Sequence, residues 1–392
     1  MSQVRAGASA AAAGMDAVRL DPGTPVAVLL GGPSAEHDVS LVSGRAIAAA
    51  MAGRGHPVEA WLIDLGGGWW RLPEAAHDPK LAPVAYDDPA AMGGEGPLDA
   101  SAALARLARR DPAPVVWIAL HGPFGEDGTV QALCEAAGLV YTGSGVAASA
   151  LGMDKVLFKR LARSLEMPVV PFETLARTDY DNDPQAALAR LVAFAGRLPD
   201  RRLMIKPARL GSSVGTSIVH RPDEPPYLEA ALAEAFRWDD LVLAEAYLAA
   251  PRELEVSVLG NATRTVAFGP GEVVPGHEFY DYEAKYAAGL SRTIARPEIG
   301  PAVAERVREL ARAAFSAIGA SGFGRVDFLV HGGRIYLSEI NTIPGFTPIS
   351  LFPILCHEGG LDFAALSARI VELAIERFAA RPPTGLTRAD LP

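Results

Sequence analysis

Four polar side chains in two strand-like segments have the types and spacing that metal-assisted chemistry needs. Arg325 and Asp327 are two residues apart in one segment, and Glu339 and Asn341 are two apart in the next. Because side chains alternate between the faces of a strand, each pair should point to one face. Asp327, Glu339 and Asn341 would then form a hard-oxygen cluster suited to Mg²⁺ and substrate phosphates, and Arg325 could neutralise transition-state charge. For any one of these residues alone, a polar position on a solvated sheet face is the simpler interpretation.

A second candidate is Lys206 with the Gly/Ser-rich loop 211–215 that follows it. A lysine at a strand end, followed by a turn with free backbone N–H groups and two hydroxyls, suits a polyphosphate. The loop is not a Walker A motif, because Gly-Lys-Ser/Thr is absent. On its own, such a turn is more typical of a simple hairpin.

Three further loops follow predicted strands, and the first two lie in the N-terminal domain, where ligands of open α/β sheets bind beyond strand ends. In the first, Glu36 could hold a substrate ammonium group. In the second, a lone His121 is by default a structural hydrogen-bonding residue, and Asp127, with Glu126 beside it, is expected to cap the next helix. In the third, a turn at Pro344-Gly345 exposes amides and hydroxyls that could bind a carboxylate or an oxyanion, although a plain surface turn is the alternative.

The elements that must position these residues divide the chain into three α/β or α+β domains. Residues 1–24 are expected to be a disordered tail, and alternating strands and helices predict an N-terminal α/β domain over 25–144. A central α+β unit is predicted over 145–240, with a helix at 154–166 and a strand at 169–174. A C-terminal unit is predicted over 241–392. Its loop 275–292 is predicted to be a functional lid, because loops of this length inside a compact domain are usually functional. The stretch 66–113 matches no recognisable pattern.

Bulk composition excludes several classes of protein. The 392 residues carry a net charge of −10 with a sequence pI near 5.4, which gives no basic footprint for nucleic acid. The two cysteines, Cys134 and Cys356, have no metal-ligand or disulfide-framework spacing. No apolar run approaches the roughly 18 residues that a membrane span needs. We therefore expect a cytoplasmic enzyme with no membrane or nucleic-acid partner.

Taken together, the motifs resemble those of the D-alanine–D-alanine ligase family, within the ATP-grasp superfamily. The matching segments occur in the family's order over roughly 25 to 380, and they are 29–41, 120–128, 141–155, 206–215, 277–286 and 322–353. The resemblance implies an ATP-grasp fold, with ATP held between the central and C-terminal domains. It also implies ATP-dependent ligation of two D-alanine molecules through an acyl phosphate, for peptidoglycan precursor synthesis. The cofactors implied are ATP and Mg²⁺ (or Mn²⁺), with two metal ions, and a homodimer is expected.

The resemblance assigns roles residue by residue. Nucleotide contacts are implied for Lys155, Lys206, Ser212, Ser213, Glu245, Leu248, Glu253 and Lys285. Metal ligation is implied for Asp327, Glu339 and Asn341. Substrate contacts are implied for Glu36, His121, Arg325, Gly345, Ser350 and Leu351. A catalytic set is implied for Glu36, Ser212, Tyr286, Arg325 and Ser350, in which the first three form a hydrogen-bonded trio that pins the lid.

Three rival interpretations remain at this point. A sister ligase that uses D-lactate or D-serine as second substrate would carry the same motifs, although Tyr286 and the apolar Leu351 favour D-alanine. A nicotinamide-dependent oxidoreductase built on Gly31-Gly32 is disfavoured, because no GxGxxG follows the first strand. A non-catalytic nucleotide sensor is disfavoured by the complete set of predicted metal and phosphate ligands.

Overall fold

The computed structural model describes residues 20–78, 80–262, 264–275 and 291–381. Its first sheet is built from β1 (Val26–Gly31), β2 (Val58–Ile63), β3 (Trp69–Arg71), β4 (Glu95–Leu98) and β5 (Val115–Ile118). The order is β4-β3-β2-β1-β5, and β1 pairs in parallel with both β2 and β5. All six residues of β1 are buried, as expected for a parallel strand covered on both faces. Helices α1 (His37–Gly53), α2 (Ala100–Ala108) and α3 (Thr129–Ala136) accompany this sheet, together with short 3₁₀ turns at Glu74–His77 and Pro83–Tyr86.

A second, four-stranded sheet occupies the middle of the chain. Its strands are β6 (Phe172–Ala176), β7 (Leu203–Pro207), β8 (Ser217–Val219) and β9 (Leu241–Ala246), in the antiparallel order β6-β9-β7-β8. The helices of this region are α4 (Val146–Met153), α5 (Lys155–Ser164), α6 (Arg177–Asn182), α7 (Pro184–Gly196) and α8 (Pro225–Phe236). Because β9 pairs with β6 and β7, it belongs to the central sheet and not to the C-terminal unit, where the predicted boundary at residue 241 had put it.

The third sheet carries the predicted oxygen cluster. Its strands are β10 (Arg252–Asn261), β11 (Arg264–Pro275), β12 (Ser291–Ile294), β13 (Ser321–His331) and β14 (Arg334–Asn341), in the antiparallel order β12-β11-β10-β13-β14. Helices α9 (Pro301–Ala317), α10 (Leu351–Glu358) and α11 (Phe363–Ala379) complete the described chain. No helix in the described ranges is long and apolar enough to cross a membrane.

The N-terminal and C-terminal parts share one hydrophobic core. The N-terminal sheet, the loop around Phe346 and helices α10 and α11 contribute buried side chains to the same cluster. Trp117 of β5 is central to it, with ring centroids 5.5 Å from Phe323 and 5.1 Å from Phe346. The central sheet has a separate core around Leu191, Leu203 and Leu232. The first and third sheets are thus packed as one body beside the second.

Three predicted boundaries differ from the structure. The strand predicted at 169–174 runs from Phe172 to Ala176, because Pro171 lacks the N–H that a ladder needs, and Val169 instead bridges to Leu337. Of the predicted tail 1–24, the structure describes residues 20–24, and Leu20 packs on the core. The predicted lid 275–292 overlaps β12, whose Ser291 pairs with Pro275 of β11. Lid residues 276–290 and tail residues 1–19 lie outside the described residues.

Candidate active site

The four residues of the oxygen cluster lie on one face of the third sheet. Across the β13–β14 pair, Asp327 is opposite Glu339 and Arg325 is opposite Asn341. Directly opposed residues share a face, so the strand spacing in the sequence predicted this arrangement correctly. The amide nitrogen of Asn341 donates to Asp327 Oδ2 over 3.0 Å, which leaves its carbonyl oxygen as an acceptor.

Arg325 is held by two carboxylates. Its Nε and Nη2 donate to the two oxygens of Asp327, each over 2.7 Å, and Nε is 3.4 Å from Glu255 of β10. Burial alone would lower the pKa of Arg325, but Asp327 and Glu255 raise it well above its ordinary value. The guanidinium is therefore a fixed positive charge in the cluster.

The donor set fits a divalent cation. A carboxylate has about four lone-pair sites, so the fork of Arg325 and the amide of Asn341 leave acceptor positions on Asp327. Carboxylate and amide oxygens are the ligands that Mg²⁺ prefers. In the described ranges no group of three or more His, Cys, Asp or Glu side chains is arranged to hold a metal, so the amide of Asn341 is needed as the third ligand.

Two lysines of the central domain form ion pairs with carboxylates, and one of them, Lys155, reaches this cluster. Lys155, the first residue of α5, has its Nζ 3.2 Å from Glu339 Oε2 and donates to the carbonyl oxygen of Leu210 over 2.8 Å. The helix start is fixed by Asp154, whose side chain accepts from the N–H of Leu157. Lys206 on β7 forms an ion pair with Glu245 on β9. These two ammonium groups are thus carried by different elements, α5 and β7, and each contacts a carboxylate.

The loop 211–215 reaches the N-terminal domain. Ser212 Oγ donates to Glu36 Oε1 over 2.6 Å, which brings together two members of the predicted trio. Gly122 permits the approach of Glu36, because a Cβ there would be 2.8 Å from Glu36 Oε2. Ser212 and Ser213 have φ values of 52° and 59°, a left-handed conformation that is uncommon for serine and occurs mostly at functional turns. The third member, Tyr286, and the predicted nucleotide ligand Lys285 lie outside the described residues.

His121 bridges two domains. Its Nε2 is 3.1 Å from Ser43 Oγ and its Nδ1 is 3.0 Å from the carbonyl oxygen of Ile343. Both ring nitrogens therefore have protein partners, which is the structural role expected by default, and the substrate contact remains a prediction.

Glu126 differs from its expected capping role. It is half-buried, and its two oxygens accept from the N–H groups of Gly122 and Ile343. Burial, with the nearby charge of Glu36, raises the pKa of Glu126 to about 8. Asp127 does accept from the N–H of Thr129, the first residue of α3, as predicted.

The predicted second-substrate residues cluster at the start of α10. Ser350 precedes the helix, and its Oγ accepts from the N–H of Thr347 over 3.1 Å. A Cβ on Gly345 would be 3.3 Å from Ser350 Oγ, so this backbone lies close to that hydroxyl. Leu351 is only 6% exposed and packs against Gly271 of β11. Its side chain belongs to the core, so it is less available to a substrate than the sequence suggested.

Three other predicted nucleotide contacts lie on or just after β9 and on β10. Leu248 follows β9 and is half-buried, and Glu253 lies on β10, two residues before Glu255 and so on the same face. Glu245, also a predicted nucleotide contact, is engaged by Lys206 and by a third lysine, Lys159.

Sequence reasoning missed Lys159, Glu255 and the bridging role of Glu126. Lys159 had one available signal, its position one helical turn beyond Lys155, which puts both on one helix face. Glu255 could be found only by knowing that β10 lies next to β13.

The chain is similar to known proteins over almost its whole length. Family models described as the N-terminus and the C-terminus of D-ala D-ala ligase match residues 25–144 and 161–372. A D-alanine–D-alanine ligase of Chlorobaculum tepidum is 39% identical over 364 residues, which is 90% of this chain and 97% of the relative. One from Treponema denticola is 38% identical, over 90% of this chain and 96% of the relative.

Solved structures agree. The D-alanine-D-alanine ligase of Coxiella burnetii superposes with a TM-score of 0.77 at 29% identity, covering 92% of this chain and 96% of that one. A D-Ala:D-Ser ligase of Enterococcus faecalis superposes with a TM-score of 0.76 at 28% identity, covering 90% and 99%. With these relatives the three sheets are those of an ATP-grasp enzyme, and the chain belongs to the D-alanine–D-alanine ligase family.

Proposed function

We propose that the protein joins two D-alanine molecules into a dipeptide at the expense of ATP, for peptidoglycan precursor synthesis. The observation that carries the proposal is the meeting of three domains at one place. Lys155 and Lys206 come from the central domain, the cluster around Asp327 from the C-terminal domain, and Glu36 from the N-terminal domain. A ligase that uses ATP to activate one amino acid needs phosphate, metal and ammonium ligands within reach of one another.

The first step activates a carboxylate, because a carboxylate does not react with an amine at a useful rate. A carboxylate oxygen of the first D-alanine attacks the γ-phosphorus of ATP, the bond to the β-phosphate oxygen breaks, and ADP leaves. Lys155 and Lys206 bind the phosphates, Ser212 and Ser213 lie over them, and Arg325 offsets charge on the transferring group. Glu36 holds the ammonium group of the first D-alanine.

A divalent metal would be held by Asp327, Glu339 and Asn341. When bound, it supplies charge neutralisation for the phosphate oxygens. Mg²⁺ is the proposed ion, with Mn²⁺ as a substitute and two ions in the site.

The second step forms the peptide bond. The amine of the second D-alanine, deprotonated, attacks the acyl carbon, and the bond to the phosphate oxygen breaks to release phosphate. Gly345 and Ser350 at the start of α10 bind this second substrate. Acyl phosphates hydrolyse readily, so the lid residues Lys285 and Tyr286 have the role of excluding water.

The test is product analysis. With ATP, Mg²⁺ and D-alanine the protein is expected to give D-alanyl-D-alanine, ADP and phosphate in equal amounts. Omission of D-alanine or of the metal should abolish ATP turnover. AMP and pyrophosphate as products would exclude the acyl phosphate, since they are the products of an adenylating ligase.

A second candidate function is ligation of D-alanine to D-serine or D-lactate, favoured by the similarity to the D-Ala:D-Ser ligase of known structure. The apolar Leu351, packed in the core, offers no partner for a substrate hydroxyl. An apolar pocket lowers kcat/KM for a hydroxylated analogue by only about two orders of magnitude. The decisive assay is therefore a competition between the candidate second substrates in one mixture. With D-alanine, D-serine and D-lactate present at equal concentration, we expect D-alanyl-D-alanine to be the main product detected by mass spectrometry. A majority of alanyl-serine or depsipeptide would reassign the second substrate but not the mechanism. Sedimentation of the same preparation tests the proposed homodimer.

A further inference from the structure

Lys159 is a lysine sealed inside the protein next to the proposed nucleotide site. Its side chain is 0% exposed, and its Nζ lies 2.7 Å from Glu245 Oε1. The other oxygen of Glu245 contacts Lys206, so one buried carboxylate is shared by two ammonium groups. Removing an ammonium from water costs several kcal/mol, and a buried ion pair is often no more stabilising than an apolar residue of the same size. Stability alone gives no reason for a lysine at this position.

The position of Lys159 on its helix relates it to the phosphate-binding lysines. It lies one turn after Lys155 on the same face of α5, and Lys155 pairs with Glu339. Glu245 lies opposite Met204 on β7, diagonal to Lys206 on the same face of the sheet. Lys206 is 15% exposed at its side chain, but Lys159 has no exposed surface and cannot reach a ligand outside the core.

Charge balance explains what the third lysine does. If Lys206 were the only cation on Glu245, moving its charge toward a phosphate would leave a buried carboxylate unpaired, which is strongly unfavourable. With Lys159 in place, Glu245 keeps a counter-ion whichever way Lys206 turns. Burial lowers the pKa of Lys159, although Glu245 opposes that shift. Burial alone would raise the pKa of Glu245, but the two lysines hold it below its ordinary value.

We propose that Lys159 is a positioning residue for phosphate binding: it is the permanent counter-ion of Glu245 and so frees Lys206 to bind the phosphates of ATP. This rests on the proposed function, in which Lys206 is a phosphate ligand. Lys159 touches neither nucleotide nor amino acid, and it acts only through Glu245.

The experiment compares a nucleotide that has three phosphoryl groups with one that has only the α-phosphate. Binding constants of the whole protein for Mg²⁺ with the non-hydrolysable analogue AMP-PNP, and for AMP, are measured by calorimetry for wild type and Lys159→Met. Methionine has similar length and no charge. We expect the Kd for AMP-PNP to rise about tenfold or more, equivalent to at least about 1.4 kcal/mol, while the Kd for AMP changes less than about twofold. Leu157→Ala, half-exposed on the same helix, is the matched control and should change neither.

A double variant separates positioning from packing. In Lys159→Met/Glu245→Gln no buried carboxylate needs Lys206, so the preference for AMP-PNP over AMP should return toward wild type. A packing role for Lys159 would leave the double variant no better than the single one. If methionine does not give folded protein, Lys159→Gln keeps a hydrogen-bond donor without charge and should show the same loss.

The outcomes separate the two proposals. An unchanged preference in Lys159→Met, or no recovery in the double variant, overturns the role of Lys159. A wild-type protein that binds AMP-PNP no better than AMP and turns over no ATP overturns the proposed function itself.

Discussion

At the scale of single residues, Asn341 combines two tasks in one amide. Its nitrogen holds Asp327, and its carbonyl oxygen is the third ligand that the proposed metal site needs. We expect Asn341→Ala to lower turnover at limiting Mg²⁺ by about 10- to 100-fold, the usual effect of disturbing a metal site, with partial recovery in excess metal. Arg334→Ala, exposed at the turn of the same hairpin, is the control. Near wild-type turnover of the Asn341 variant at limiting Mg²⁺ would show that the metal assignment is wrong.

Glu126 gives a prediction about pH. Its pKa is about 8 in the folded protein against an ordinary value of 4.5. Between these values the folded protein holds a proton that the unfolded chain has released, so this residue makes the free energy of unfolding fall as pH rises through the window. The slope is at most about 1.4 kcal/mol per pH unit.

Denaturant unfolding of wild type and Glu126→Gln between pH 5 and pH 8 measures this effect, since the other titrating groups are common to both proteins. Wild type should lose stability relative to the variant as pH rises. A constant difference across the range would show that Glu126 does not titrate there.

The residue scale also shows where sequence reasoning ends. Glu339 and Asn341 could be placed on one face from the two-residue period of a strand, and so could Arg325 and Asp327, but only the register of β13 with β14 aligns the two pairs. Lys159 and Glu255 could not be interpreted, because their partners Glu245 and Arg325 come from other strands, brought close only by the sheet order. The periodicity of a segment predicts which side chains share one face of a strand or helix. The pairing of strands in the folded protein decides which other side chains contact that face.

At the scale of elements, the loop 211–215 is held to the N-terminal domain by the hydrogen bond from Ser212 to Glu36. Ser212→Ala removes that hydroxyl and keeps the left-handed backbone that the residue already adopts. A hydrogen bond to a charged group contributes about 1.5–3 kcal/mol, so we expect the KM for the first D-alanine to rise about tenfold or more. Ser213→Ala, at the neighbouring position with the same left-handed backbone, is the comparison. Equal effects of both substitutions would assign the loss to the loop as a whole.

Strand prediction succeeded or failed for local reasons. β1 was recognised because its residues form one apolar run, whereas β11 was missed because Gly269-Pro270-Gly271 interrupts it. The register of β11 against β10 shifts at this point, and Gly269 has a φ of 95°, so the strand contains a bulge that strand periodicity does not predict.

At the scale of the whole molecule, Arg377 links α11 to the N-terminal domain. Its Nη2 donates to the carbonyl oxygen of Tyr141 over 2.9 Å, and its guanidinium lies 4.4 Å from the centre of the Tyr141 ring. Losing the hydrogen bond and the cation–π contact in Arg377→Leu should lower the free energy of unfolding by about 2 kcal/mol. Ala379→Ser, exposed at the end of the same helix, should change it by less than about 0.5 kcal/mol. Equal stabilities of the two variants in denaturant unfolding would contradict the role of this contact.

The shared core also has a consequence for how the protein folds during its synthesis on the ribosome. Residues Leu366 to Ala374 complete the core of a sheet whose own strands were synthesised within the first third of the chain. A ribosome adds about 5–20 residues per second. The surface of the nascent N-terminal sheet that α11 later covers is therefore exposed to solvent for many seconds. That surface is apolar, so while it is uncovered the nascent chain is prone to aggregation. Nascent chains arrested before Phe363 are therefore expected to be protease-sensitive in the N-terminal domain, and chains arrested with α11 clear of the exit tunnel to be resistant.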